Sequence, residues 1–119
     1  MLEISTVEGL EDVRTASAAR PVFIFKHSTT CPVSARAAAR MDAYLATPAE
    51  GRPEFYLIKV VEFRAVSNAA AVGLGVEHQS PQLILVKGGK GVWSASHYGI
   101  QADAIDAAIE QLGAGAGAR

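Results

Sequence analysis

The chain has 119 residues, 50% of them hydrophobic and 19% charged, with a formal net charge of −1. That size and balance describe one folded domain able to bury a core without disulfides or a structural metal, and they exclude a disordered chain. There is no basic field to hold a nucleic-acid backbone, no polybasic run for a membrane surface, and no apolar run near the ~18–20 residues of a spanning helix.

In chain order, Met1–Ser5 lacks the basic and apolar stretches of a secretory signal, so a cytoplasmic location is expected. Ser5 and Glu8 have the spacing of a capping box, and Val7, Leu10 and Val13 recur at helical intervals, predicting a helix from Thr6 to Ser17. Val22-Phe23-Ile24-Phe25 is a continuous apolar run that suits a strand buried on both faces. It leads through Lys26, His27, Ser28, Thr29 and Thr30 into Cys31-Pro32. Proline fits a first helical position, where its missing N–H would have no partner. The alanine-rich stretch from Val33 to Leu45 reads as the second helix, with Ala37 and Met41 on its inner side.

Phe55–Val61 is a second strong strand, and Ala65–Leu74 a short helix ended by Gly73 and Gly75. Gln82–Lys87 is a third strand, the glycines from Gly88 to Gly91 form a hairpin turn, and Val92–Tyr98 is a fourth. A last helix covers Ala102–Leu112, and residues 113–119 are expected to be a disordered Gly/Ala tail. The expected architecture is therefore α/β: a single domain over residues 1–112, with a four-stranded mixed sheet flanked by helices on both faces.

Cys31 is the only cysteine, which rules out an internal disulfide and any zinc site needing several thiolates from one chain. It is either an inert buried thiol or a reactive one. Its place before Pro32, at a helix start, favours the second reading. Unpaired N–H groups and the helix dipole stabilise a thiolate there, and the thiolate is the nucleophile of disulfide exchange. Ser34 lies one turn on; its hydroxyl can donate to the thiolate but cannot close a disulfide. Lys26, read as a solvated strand residue, and His27 could add positive charge beside the sulfur.

The element order, the Cys-Pro turn after the first core strand and Ser80-Pro81 just before the third make the chain similar to the thioredoxin superfamily. A closer resemblance, to monothiol bacilliredoxin-like proteins of the bacillithiol system, rests on Phe25-Lys26-His27-Ser28-Thr29-Thr30-Cys31-Pro32-Val33-Ser34 with Ser80-Pro81-Gln82 downstream. The resemblance implies a monothiol thiol–disulfide oxidoreductase acting through Cys31, Pro32 and Ser34. It places a cis-proline at Pro81 beside the thiol, with Ser80, Lys26, His27 and Thr30 as substrate contacts. Bacillithiol is implied as cosubstrate, with no tightly bound cofactor and no metal. S-thiolated proteins and a regenerating thiol or reductase are the implied partners. The carboxylates of such a thiol would meet Lys26, Arg64 or the last helix start at Gln101-Ala102-Asp103. The alternative function is a non-catalytic module, in which Cys31 serves an iron–sulfur cluster shared between chains or acts as a redox sensor.

Overall fold

The apolar runs around Val22, Phe55 and Leu83 become the three central strands of one sheet, because each can bury side chains on both faces. In the computed structural model, which describes residues 1–117, the chain runs β1 (Leu2–Glu3), α1 (Val7–Ala16), β2 (Val22–His27), α2 (Pro32–Ala46) and β3 (Glu54–Lys59). It continues through α3 (Arg64–Leu74), β4 (Gln82–Lys87), β5 (Lys90–Ser96), a 3-10 turn (His97–Gly99) and α4 (Ala102–Gly117).

The sheet order is β1-β3-β2-β4-β5. β2 pairs in parallel with β3 and antiparallel with β4, and β4 pairs antiparallel with β5. Side chains alternate between the two faces of each strand. Val22 and Ile24 point to a core shared with Leu10 and Val13 of α1 and with Val66, Ala70 and Leu74 of α3. Phe23 and Phe25 point the other way, to Ala37 and Met41 of α2 and Ile105 and Ala108 of α4. Two helices therefore cover each face. The Phe23 and Phe55 rings stack at 4.5 Å across β2 and β3.

The sheet has five strands rather than the expected four. Leu2 and Glu3 pair in parallel with Tyr56 and Leu57, and Ile4 N–H extends the ladder to Leu57 O at 2.8 Å. Two exposed residues carry no periodicity, so only the open edge of β3 decides that they are a strand. This pairing also moves the first helix cap. The chain is extended through Ile4, and Thr6 rather than Ser5 becomes the N-cap, its Oγ1 accepting the Gly9 N–H at 2.9 Å.

At the other end, β5 stops at Ser96 instead of Tyr98, because His97 takes a left-handed φ of 53° and turns the chain. The register slips between Leu85 and Val86, which pair with Trp93 and Gly91 and leave Val92 bulged out. Gly91 is required at that point, since a Cβ there would lie 2.4 Å from Val76 Cγ2. α4 runs to Gly117, past the expected end at Leu112, through alternating Gly and Ala with no proline to break it. The rest of the expected tail, residues 118–119, lies outside the described residues. No helix among the described residues is long and apolar enough to cross a membrane.

Candidate functional site

The site forms where β2 ends. His27 closes the strand, and a three-residue turn carries the chain to Cys31, whose N–H donates to Ser28 O at 3.2 Å. Cys31 is the N-cap of α2, with extended backbone at φ −103° and ψ 123°, and Pro32 follows inside the first turn. Its carbonyl accepts the Ala35 N–H at 2.9 Å, the first bond of the helix. The next two N–H groups, on Val33 and Ser34, belong to the first turn, for which a helix supplies no carbonyl. They are the groups a sulfur at the N-cap would meet. The thiol is free and half-buried, and it forms no capping hydrogen bond. Pro32 and Thr30 are exposed beside it.

Cross-strand register brings the other parts to the same end of the sheet. Lys26 pairs with Gln82, so Pro81 lies next to His27 on one side; Lys59 pairs with His27 on the other. The Ser80–Pro81 bond is cis, and Pro81 is buried. Pro81 O accepts the His97 N–H at 3.1 Å, which ties the proline to the turn after β5. Ser80 Oγ is buried and has no hydrogen-bond partner among the described residues.

Ser34 does not face solvent. It is fully buried, its oxygen accepts the Ser28 N–H at 2.9 Å, and it lies 2.7 Å from His27 Nδ1. This hydroxyl is bonded to the strand end and not to Cys31, contrary to the sequence expectation. The N3 position of α2 points back over the end of β2, and two polar groups there compete for it. The His27 ring stacks on Phe25 at 5.7 Å and 15°. Burial holds its pKa below the ordinary 6.5, against the opposing pull of Glu62 and with help from Lys59.

Lys26 is corrected. It is 0% exposed, and its side chain leaves the opposite face of the sheet, where Nζ donates to Ser67 O of α3 at 3.1 Å. Alternation along β2 forces this: Lys26 follows Ile24 to the α1/α3 side, while Phe25 and His27 follow Phe23 to the side of α2. Burial without a carboxylate partner lowers the amine from 10.5 to about 8. His78, 3.5 Å from Ser67 Oγ, is pushed below 6.5 by burial and by the charges of Lys26 and Arg64.

Gln101 is not brought to the thiol. It precedes α4, its carbonyl accepting the Ile105 N–H at 3.0 Å and its Nε2 donating to Tyr98 O at 2.9 Å. The carbonyl before it, Ile100 O, accepts from Arg40 Nε at 2.7 Å. Arg40 lies nine residues beyond Cys31, which places it about 14 Å along the helix. Arg64 begins α3, just after the exit of β3 beside His27.

Two contributors were given no role by the sequence. Glu62, in the turn after β3, accepts from Thr29 Oγ1 at 2.9 Å and tethers the loop before Cys31. Ser28 acts through its backbone N–H. Among the described residues, no three or more His, Cys, Asp or Glu side chains are placed to hold a metal. Hollows of about 660 and 570 Å3 lie elsewhere, one at the start of β2 and β3, the other between α2 and α4. The thiol thus stands outside these hollows, on a helix cap at the same end of the sheet as the cis-proline.

Residues 2–105 match the family described as monothiol bacilliredoxin BrxC. A solved structure described as a candidate oxidoreductase with a thioredoxin fold is 30% identical, with a TM-score of 0.77, covering 91% of this chain and 92% of that one. Fasciola hepatica thioredoxin, at 19% identity and a TM-score of 0.70, covers 93% of this chain and 98% of its own. Malassezia sympodialis thioredoxin, at 21% and 0.70, covers 93% and 90%. The two thioredoxins establish only that the fold is thioredoxin-like.

Proposed function

This chain belongs to the monothiol bacilliredoxin family, and from that premise we propose that it removes or transfers a low-molecular-weight thiol, bacillithiol, on protein cysteines. The observation that carries the proposal is a lone, half-buried cysteine at the N-cap of α2, with serine at the third helical position. A dithiol redoxin resolves its mixed disulfide internally; here the partner position holds an oxygen.

The cycle therefore runs between molecules. The Cys31 thiolate attacks the small-thiol sulfur of a protein mixed disulfide. That S–S bond breaks, the target leaves as a thiolate that takes a proton from solvent, and Cys31 now carries the small thiol. A second small-thiol anion, or a separate reductase, attacks this new disulfide and expels Cys31 as its thiolate. Pro32 starts the helix that presents its amides to the sulfur, and Thr30 and His27 border it. Ser80, before the cis-proline, offers backbone N–H and C=O to the extended target chain. Arg64 and the exposed surface after β3 suit the carboxylates of the small thiol better than the buried Lys26 or the remote Gln101. A reducing compartment, the cytoplasm, suits a free thiol of this kind.

The test is release of bacillithiol from a protein carrying it as a mixed disulfide, followed by intact mass. Wild-type chain is expected to gain one bacillithiol on Cys31 while the target is freed, and Cys31→Ala to do neither. Full release by Cys31→Ala would overturn the catalytic reading. Parallel exposure to disulfides of glutathione and coenzyme A tests the choice of thiol; faster adduct formation with either would overturn the bacillithiol assignment.

A further inference from the structure

The Ser34 hydroxyl has one hydrogen and two neighbours. Ser28 N–H already donates to its oxygen at 2.9 Å, and His27 Nδ1 lies 2.7 Å away. Ser34 is fully buried, and no other hydrogen-bond partner among the described residues reaches it, Cys31 included. If Nδ1 carried the ring hydrogen, it too would donate to that oxygen. The hydroxyl hydrogen would then be buried without an acceptor, which is costly. Every group is satisfied only when Ser34 donates to Nδ1, so the neutral ring carries its own hydrogen on Nε2.

We propose that His27 is a positioning residue for the exchange reaction: neutral, it holds the Ser34 hydroxyl off Cys31, and protonated, it releases that hydroxyl to the sulfur. The inference rests on Cys31 being the exchanging thiol. A proton taken from solvent at Nδ1 forms an N–H bond and makes the ring a donor to Ser34 Oγ; no other covalent bond changes, and the hydroxyl turns away from the ring. The hydroxyl hydrogen then needs a new acceptor, and Cys31 stands one turn away at the N-cap. A thiolate without that donor is the stronger nucleophile, and a thiolate with it is the better leaving group. The pair thereby separates the two half-reactions, attack on the incoming disulfide and departure from the adduct.

The surroundings bear on both states. Phe25 covers one face of the ring from β2, and Lys59 pairs with His27 at the end of β3. Glu62 in the following turn and Asp42 on α2 favour the imidazolium, while burial and Lys59 favour the neutral ring. Ser28, Ser34 and Cys31 complete the set from the turn and from α2.

Nitrogen-detected NMR of the reduced full chain reads the tautomer directly. Neutral His27 is expected as the Nε2–H form, and Ser34→Ala to shift it towards a mixture. A wild-type ring found with its hydrogen on Nδ1 overturns the proposal, whether or not any variant folds. The second readout is the pH profile of Cys31 alkylation by iodoacetamide. Wild type is expected to show an extra inflection at the His27 titration, lost in His27→Gln, in Ser34→Ala and in the double variant alike. An inflection retained in Ser34→Ala, or absent from wild type, overturns the coupling. Neither readout needs turnover, so loss of bacillithiol release with both results as expected counts against the proposed function alone.

Discussion

Lys26→Met separates the cost of burying an amine from everything else in this fold. Lys26 is fully buried and has, among the described residues, one hydrogen-bond partner, Ser67 O, and no carboxylate. Its pKa falls from 10.5 to about 8, so the unfolded chain holds the proton more tightly than the folded one. Between those values the unfolded state binds more protons, and stability rises with pH. The full penalty applies below the folded pKa and is relieved as pH climbs towards 10.5. At about 1.4 kcal/mol for each tenfold difference, the charged lysine costs the folded state about 3 kcal/mol at pH 7 and about 1 kcal/mol at pH 10. Methionine has a similar length and no charge, but it forfeits the bond to Ser67 O, a loss of about 1–3 kcal/mol. That loss is nearly the same at both pH values. Urea denaturation of wild type and variant should therefore show the variant's relative stability falling by about 2 kcal/mol from pH 7 to pH 10. A difference that stays constant with pH would mean the amine is not desolvated, and the assignment of Lys26 to the interior would fail.

Three further outcomes follow from single contacts. Gly91→Ala puts a Cβ 2.4 Å from Val76 Cγ2 and 3.1 Å from Ile84 Cγ2, so a loss of about 1–3 kcal/mol is expected by chemical denaturation. Arg40→Ala removes the bonds to Ile100 O and His97 O that hold the turn after β5 against α2. Hydrogen exchange should speed up across residues 97–101, with stability falling by about 1–3 kcal/mol. Thr6→Ala deletes the cap on Gly9 N–H, and thermal unfolding should report a loss of about 1 kcal/mol, whereas Ser5→Ala should change little.

The order of elements along the chain, β1 excepted, was legible because their periods differ: apolar runs of strand length alternate with amphipathic stretches of helix length. The Cys31-Pro32 helix start was legible for a similar reason, since proline at a first helical position and the run before it are local signals. Lys26 was misread although a signal existed. A strand judged to be buried on both faces buries its charged members as well, and Lys26 has the parity of Ile24. The hydrogen-bond partners of Ser34 and Gln101 were not legible, because spacing along a helix says which residues share a face, not which neighbour claims a side chain. Glu62 carries no pattern at all; it reaches Thr29 only because β3 exits beside the turn that leads to Cys31.

By itself the sequence determined that any disulfide exchange by this chain must pass between molecules, since one cysteine has no partner within the chain, and that Cys31 stands at the start of a helix. Tertiary structure alone decided which polar groups surround that sulfur. Strand register set Pro81 and Lys59 on either side of His27, and the closing of α2 over β2 brought Ser34 within 2.7 Å of the ring. Those contacts join residues from separate strands and turns, and no local preference of the chain encodes a distance between elements that meet only when the core packs.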